Sequence, residues 1–332
     1  MNRRETVRLL LGAAWAGSVC PTAAFSAEDP SKYPSQPVRV IVPFAPGGAS
    51  DIAMRIIQPG LTQAFGQQVI IENRSGAAGN IGMDVASRAA PDGYTIFLGN
   101  AGTVCVNPTL YTDLTVKPDK QFVAVSLVTE TPSILIASMK FPPSTLAETI
   151  AYVKAHPGKV NFASAGSGSA DRLLLEKFRK EVGMTMNHVP YKGGAGPATA
   201  DILAGHVELF QLTATPALSY IKSGRIKALA ISTKERIPAL PEVPTFAELG
   251  YPDYVVTTWQ GMLVPTGTPE PIITKIHAAV QRVLSDPTIQ ARFADAGVIA
   301  RASNSPAEFK AYVERETVRW SSLVKEIGAE PD

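Results

Sequence analysis

Cysteine is nearly absent from this sequence: Cys20 and Cys105 are the only two in 332 residues. That excludes a disulfide framework and a cysteine-built metal site, both of which need several cysteines at set spacings. Histidine is scarce as well. His156, His188, His206 and His277 lie in separate stretches with no His-Glu-x-x-His spacing, so no bound metal is expected. No serine has glycines two positions away on both sides, which removes the nucleophile elbow of a hydrolase. Nothing beyond residue 30 reaches the roughly 18 consecutive apolar residues of a membrane span. A phosphate loop of the Gly-x-x-x-x-Gly-Lys-Ser/Thr kind is missing, and no cofactor is expected.

The first 27 residues differ from the rest. Arg3, Arg4 and Arg8 precede the short apolar run "LLLGAAWAGSV", and "TAAFSA" supplies small residues for cleavage, so residues 1–27 read as a secretory signal. The Arg3-Arg4 pair leaves the twin-arginine route open beside the general one, although "NRRETVR" lacks the usual apolar residues after the pair. "GSV" before Cys20 is a poor lipoprotein box. Without residues 1–27 the chain holds 28 basic and 28 acidic residues, so the formal +2 belongs to the signal. No basic bulk remains to steer the protein onto nucleic acid.

The remaining length suits two domains, and short apolar runs alternate with amphipathic ones, the pattern of an α/β protein with largely parallel sheets. Val38–Val42 predicts a strand and Ser50–Phe65 a helix, with Gly66 just past its end. The alternation breaks twice, at the long β-rich runs Phe122–Ser138 and Tyr254–Pro265. Two such runs predict two crossings between domains. Domain 1 is then residues 36–130 with 258–332, domain 2 residues 131–257, and the cleft between them the binding place.

Four glycine-rich loops follow predicted strands: "PFAPGGASD", "GNAGT", "SAGSGSAD" and "YKGGAG". Small residues there let backbone N–H groups approach a ligand, and the helix behind each loop adds partial positive charge. Any one alone is equally well a tight turn; four spread over both predicted lobes favour a cleft that grips an anion. Ser50 and Asp51 are candidate caps for the first helix. Phe44, Tyr191 and Trp259 are candidate walls of the cleft, Trp259 equally a hinge residue. Lys192 is the only lysine in these loops, His188 borders one, and Cys105 reads as a small buried residue.

The stretches "YPSQPVRVIVPFAPGGASD", "VIIENRSGAAGNIGMDVASRAAPDGYTIFLGNAGT", "NFASAGSGS", "VPYKGGAGPATADILAGHVEL" and "WQGMLVPTGTP" resemble those of the Bug family. These are periplasmic substrate-binding receptors of tripartite tricarboxylate transporters. The resemblance spans essentially all of the chain after the signal. It implies a two-lobed type II periplasmic-binding-protein fold that closes on its ligand, with no catalysis. It further implies a small carboxylate ligand held by main-chain amides and water, and separate integral-membrane transporter subunits as partners of a monomeric receptor. A receptor feeding a sensor kinase is the alternative, and a hydrolase on a similar fold a weaker one.

By that resemblance the ligand-binding positions are Ala45, Pro46, Gly47 and Gly48 in the first loop, and Ala165, Gly166, Ser167, Gly168 and Ser169 in the serine-glycine loop, with Thr103 and Tyr191 at the border. Two departures from the family pattern stand out. Ala170-Asp171-Arg172 replaces the Ser-His continuation of many members, which makes Arg172 a candidate carboxylate clamp. Gln211 and Leu212 stand where many members carry an Asp after a strand, which weakens ammonium recognition. The sequence thus leans toward simple or aromatic carboxylates and away from amino acids.

Overall fold

A computed structural model describes residues 29–166, 169–191 and 194–331. The secretory signal read at residues 1–27 lies outside them, as do Ser167, Gly168 and Lys192. The chain opens with β1 (Val38–Val42), α1 (Ala49–Phe65), β2 (Val69–Asn73), α2 (Asn80–Ser87) and β3 (Thr95–Asn100). Two short helices, α3 (Asn107–Leu110) and α4 (Pro118–Gln121), lead into β4 (Phe122–Ser138). Next come α5 (Leu146–Ala155), β5 (Asn161–Ser164), α6 (Ala170–Glu181), β6 (Asn187–Pro190) and α7 (Ala195–Ala204). They are followed by β7 (Leu209–Thr213), α8 (Ala214–Lys222), β8 (Ile226–Ile231) and β9 (Thr257–Pro265). The chain closes with α9 (Glu270–Leu284), α10 (Pro287–Asp295), β10 (Ile299–Ala300) and α11 (Pro306–Ile327).

Local rules explain most of these boundaries. In β1, Val38, Val40, Ile41 and Val42 are fully buried, as in a parallel strand covered on both faces. Helix α1 ends where Gly66 turns left-handed at φ 66°. Helix α5 starts with a capping box: Thr145 Oγ1 accepts from the Glu148 N–H, and the Glu148 carboxylate accepts from the Thr145 N–H. The predicted loop "GNAGT" is mostly absent, because Gly99 and Asn100 finish β3 and a π-helical turn begins at Gly102.

The strands run in the order β2-β1-β3-β9-β4-β7-β5-β6, with β8 and β10 also beside β4. β1 lies parallel to β2 and β3, and β5 parallel to β6 and β7, whereas β9 is antiparallel to both β3 and β4. The two β-rich halves of the run Phe122–Ser138 form one strand of 17 residues. From Phe122 to Pro132 it pairs with β9; from Ser133 it pairs with β7 and β8. β4 therefore belongs to both lobes, changing partners at Pro132/Ser133. Ser232 fastens that point. Its Oγ accepts from the Ser133 N–H at 2.9 Å and donates to the Val256 carbonyl at 2.6 Å.

Glycine matters sterically on β9. A Cβ on Gly261 would stand 2.1 Å from Phe309 Cζ, so only a bare backbone lets α11 pack this closely. Next to it Trp259 is fully buried and meets Phe309 edge-on at 5.6 Å and Tyr312 at 6.1 Å.

Candidate functional site

Helix starts and strand ends from both lobes surround one cavity of about 120 Å³. Pro43–Gly48 joins β1 to α1, and from it Phe44, Ala45, Pro46 and Gly48 reach the wall, followed by Ala49 and Ser50. Opposite stand Ala165, Ser169, Ala170 and Asp171 around the start of α6, with Gly194, Ala195 and Gly196 opening α7. Thr213 precedes α8, while Thr258 and Gln260 reach in from β9. Four helices thus direct their N-termini at one space, and Gly48, Gly194 and Thr213 cap three of them without a side-chain hydrogen bond. Each such end offers unsatisfied N–H groups and partial positive charge. Among the described lining residues there is no lysine, arginine or histidine, and Asp171 is the one ionisable side chain.

The first loop owes its shape to side chains behind it. Asp51 is buried and its Oδ2 accepts from the Gly47 N–H at 2.9 Å and from Arg55 Nε at 2.8 Å. Asn73 Nδ2 donates to Asp51 Oδ1 at 3.0 Å and to the Phe44 carbonyl at 2.9 Å. Burial pushes the Asp51 carboxyl up, but the hydrogen bonds from Arg55, Gly47 and Asn73 outweigh it and hold the group below its usual range. A lowered folded value means stabilisation that is present above the unfolded value near about 4 and lost as pH falls through the folded one. Asp51→Ala is expected to lower the unfolding free energy by about 1–3 kcal/mol at neutral pH. The gap from the parent should narrow in acid, which urea unfolding at neutral and acid pH checks. A gap that persists undiminished in acid would assign the loss to packing instead.

The third wall carries backbone strain. Ala77 and Ala78 have φ of 46° and 53°, a region costly for residues other than glycine. Asn107 holds them there, donating to the Ala78 carbonyl at 3.0 Å and to Asn80 Oδ1 at 2.6 Å. Ala78 thereby faces the cavity.

Of the sequence-predicted residues, Phe44, Ala45, Pro46, Gly48, Ala165 and Ser169 line the cavity. Gly47 turns its N–H to Asp51, and Gly166 gives its own to Ser164 Oγ at 3.2 Å. Thr103 is fully buried, exchanging hydrogen bonds with Asn100, and it is Asn100 that reaches the wall. The Tyr191 hydroxyl donates to Asp201 Oδ2 at 2.6 Å, away from the cavity. Arg172 is no carboxylate clamp here, since its Nη1 donates to the Glu330 carbonyl at 3.0 Å and its Nε lies 3.8 Å from Glu176. The guanidinium ties α6 to the chain's end. Gln211 is buried, with neither amide atom hydrogen-bonded and no place in the wall. Ser167 and Gly168 lie outside the described residues.

The wall also holds Ser50, Asn100, Asp171, Thr213, Thr258 and Gln260, none of which the sequence marks as a ligand contact. Asn100 was accessible to the rule that ligands gather at carboxyl ends of parallel strands, because it is the last residue of β3. Thr258 and Gln260 follow from strand alternation, which sends Trp259 between them to the opposite face. The cap is Gly48, so Ser50 and Asp51 sit inside the helix.

His188 and Cys105 are both held uncharged. Burial, then the charges of Arg172 and Arg179, lower His188 to about 4, and its Nε2 rests 2.7 Å from Ser164 Oγ. Burial pushes the Cys105 thiol up to about 12. Among the described residues no cluster of His, Cys, Asp or Glu is arranged to hold a metal ion, and no helix is long and apolar enough to cross a membrane. A larger groove of about 610 Å³ lies between α11 and the segment around β4, lined by Val104, Phe122, Leu263 and Val313. It collects no converging long-helix N-termini, so the smaller cavity is the chemically specific one.

A family model described as the tripartite tricarboxylate transporter family receptor matches residues 53–329. Protein BugT of Bordetella pertussis is 35% identical over 317 residues, covering 95% of each chain. Among solved structures, the periplasmic binding protein BugD matches with a TM-score of 0.85 at 36% identity, over 90% of this chain and all of that one. MatC of Rhodopseudomonas palustris, solved with bound malate, matches with a TM-score of 0.82 at 35% identity, over 88% of this chain and all of that one. The chain is a two-lobed periplasmic-binding-protein fold of this type, and it belongs to the tripartite tricarboxylate transporter receptor family.

Proposed function

We propose that the protein is an exported receptor that captures a small carboxylate in the inter-lobe cavity and delivers it to separate membrane subunits of a tripartite tricarboxylate transporter. The observation that carries this reading is the convergence of four helix N-termini, three without side-chain caps, on a cavity whose described lining has no cationic side chain. Such a site favours an anion through main-chain N–H groups, which suits a carboxylate and permits bridging water. A relative at 35% identity that holds malate supports the same ligand class.

In this reading residues 36–130 with 258–332 form one closing body and residues 131–257 the other. β4 and β9 cross between them, and the partner change at Pro132/Ser133 is the pivot. Residues 1–27 direct export by either secretory route. No cofactor takes part and the receptor works as a monomer.

Calorimetric titration of refolded protein with mono-, di- and aromatic carboxylates and with amino acids tests the reading. At 100 times its dissociation constant a true ligand also raises the unfolding free energy by about 2.7 kcal/mol. Binding confined to carboxylate-bearing compounds is the expected result. Heat from none of them, in a protein that unfolds cooperatively, would overturn the assignment.

A further inference from the structure

Resting on the carboxylate reading of this cavity, we propose that Asp171 sets its specificity. Its outer oxygen accepts a hydrogen bond from a hydroxyl or ammonium group on the ligand, selecting hydroxy- or amino-substituted carboxylates over plain ones.

Asp171 is the second residue of α6 and part of the cavity wall. Its Oδ1 accepts from the Ser133 hydroxyl, on β4 just past the change of strand partners. No other described donor reaches the carboxyl group. Helix capping does not need it, because Ser169 Oγ already accepts from the Arg172 N–H. Nor is it an ion-pair partner: the adjacent Arg172 is turned to Glu176 and Glu330. A half-buried carboxyl group with one hydroxyl partner gains from any further donor that completes it. Asp171 lines the cavity, so a ligand seated there can supply that donor. A ligand anion seated at the helix N-termini would bring a donor on its neighbouring carbon within reach of that oxygen, and a plain carboxylate would leave the oxygen unpaired against a like charge. The lean away from amino acids, drawn from the acid missing near Gln211, is offset by this acid supplied from α6.

Burial pushes the Asp171 carboxyl up to about 7, the Ser133 hydrogen bond pulling the other way. The groups around it are few. Ser133 on β4 bonds it and Thr213 at the end of β7 shares the cavity wall, and neither titrates. Tyr254, from the segment before β9, stays protonated because burial holds its hydroxyl far above the usual range. His188 on β6 is neutral, and Asp51 on α1 is engaged by Gly47, Arg55 and Asn73. Binding an ammonium group favours ionised Asp171, so affinity for such a ligand rises with pH through this range. A plain dicarboxylate favours protonated Asp171, so its affinity falls.

The test uses matched sets differing in one substituent: succinate, malate and aspartate, and adipate with its 2-hydroxy and 2-amino forms. Calorimetry on the parent, on Asp171→Asn and on Asp171→Ser is run from about pH 6 to about pH 8, bracketing the Asp171 titration. The expected result is a preference of about tenfold or more for a substituted member, lost in both variants while the plain member binds as well or better. A rise in affinity with pH, absent from Asp171→Asn, identifies the ammonium ligand; a preference for the hydroxy member without that rise identifies the hydroxyl. Equal affinity across a set in the parent, or a preference that survives both variants, overturns the proposal while leaving the carboxylate reading intact. No binding by any member overturns both.

Discussion

Gly48→Asp is expected to weaken every carboxylate by about two orders of magnitude while leaving the fold as stable as the parent. The site is unusually favourable for such a separation. Gly48 has extended backbone, φ −79° and ψ 170°, and a Cβ there would meet nothing nearer than the Ala45 carbonyl at 3.7 Å. It is the N-cap of α1, where aspartate is among the preferred residues, so the fold gains a few tenths of a kcal/mol if anything. The new carboxylate, however, stands in the cavity wall. Two like charges about 5 Å apart at an effective dielectric constant near 20 repel by roughly 3 kcal/mol, which is about a hundredfold in affinity. Gly48→Asn supplies the same shape without the charge and should lose far less. Thermal unfolding and calorimetry on the two variants measure both halves. Undiminished affinity in Gly48→Asp would mean that the ligand does not approach the start of α1. The neighbouring Gly47 is a poorer probe. Its φ is +85° and its N–H serves Asp51, so a side chain there strains the loop before it says anything about the anion.

Trp259→Ala should produce the largest loss of stability, about 3–5 kcal/mol. The indole is fully buried on β9 between Phe309 and Tyr312, and residues on either side of it, Thr258 and Gln260, face the cavity. Removing it leaves a void where α11 meets both crossing strands, and the midpoint of thermal unfolding should fall by on the order of 10 °C. Trp259→Phe should cost much less. It keeps an aromatic ring against Phe309 and also removes an indole N–H that is buried without a hydrogen-bond partner. If Trp259→Ala abolished binding yet unfolded like the parent, the residue would have to be a ligand contact after all.

How far the sequence reached can be judged from neighbouring pairs of residues. The strand-loop-helix pattern around Gly48 and Ser169 was legible because glycine, serine and apolar periodicity are local signals, and both residues line the cavity. The long β4 was legible as apolar runs, but its continuity through Pro132 depends on β9 and β7 beside it. Direction was the harder quantity. Arg172 drew notice as a cation suited to an anion, yet one position along a helix turns a side chain by about 100°, and Asp171 is the residue that faces inward. Arg172 is held instead by Glu176 and by Glu330, 158 residues further along, a contact that no local pattern announces. Thr103 and Asn100 make the same point across a single turn, one supporting and the other exposed to the cavity.

The scarcity of cysteine has a practical side. Cys105 is the only cysteine among the described residues, fully buried and with its thiol pushed up to about 12, so thiol reagents at neutral pH should pass it by. A cysteine introduced at the mouth of the cavity would then carry a fluorophore at one chosen address, with no need to strip the native residue first. The receptor is in that sense already half built as an optical reporter for its own ligand.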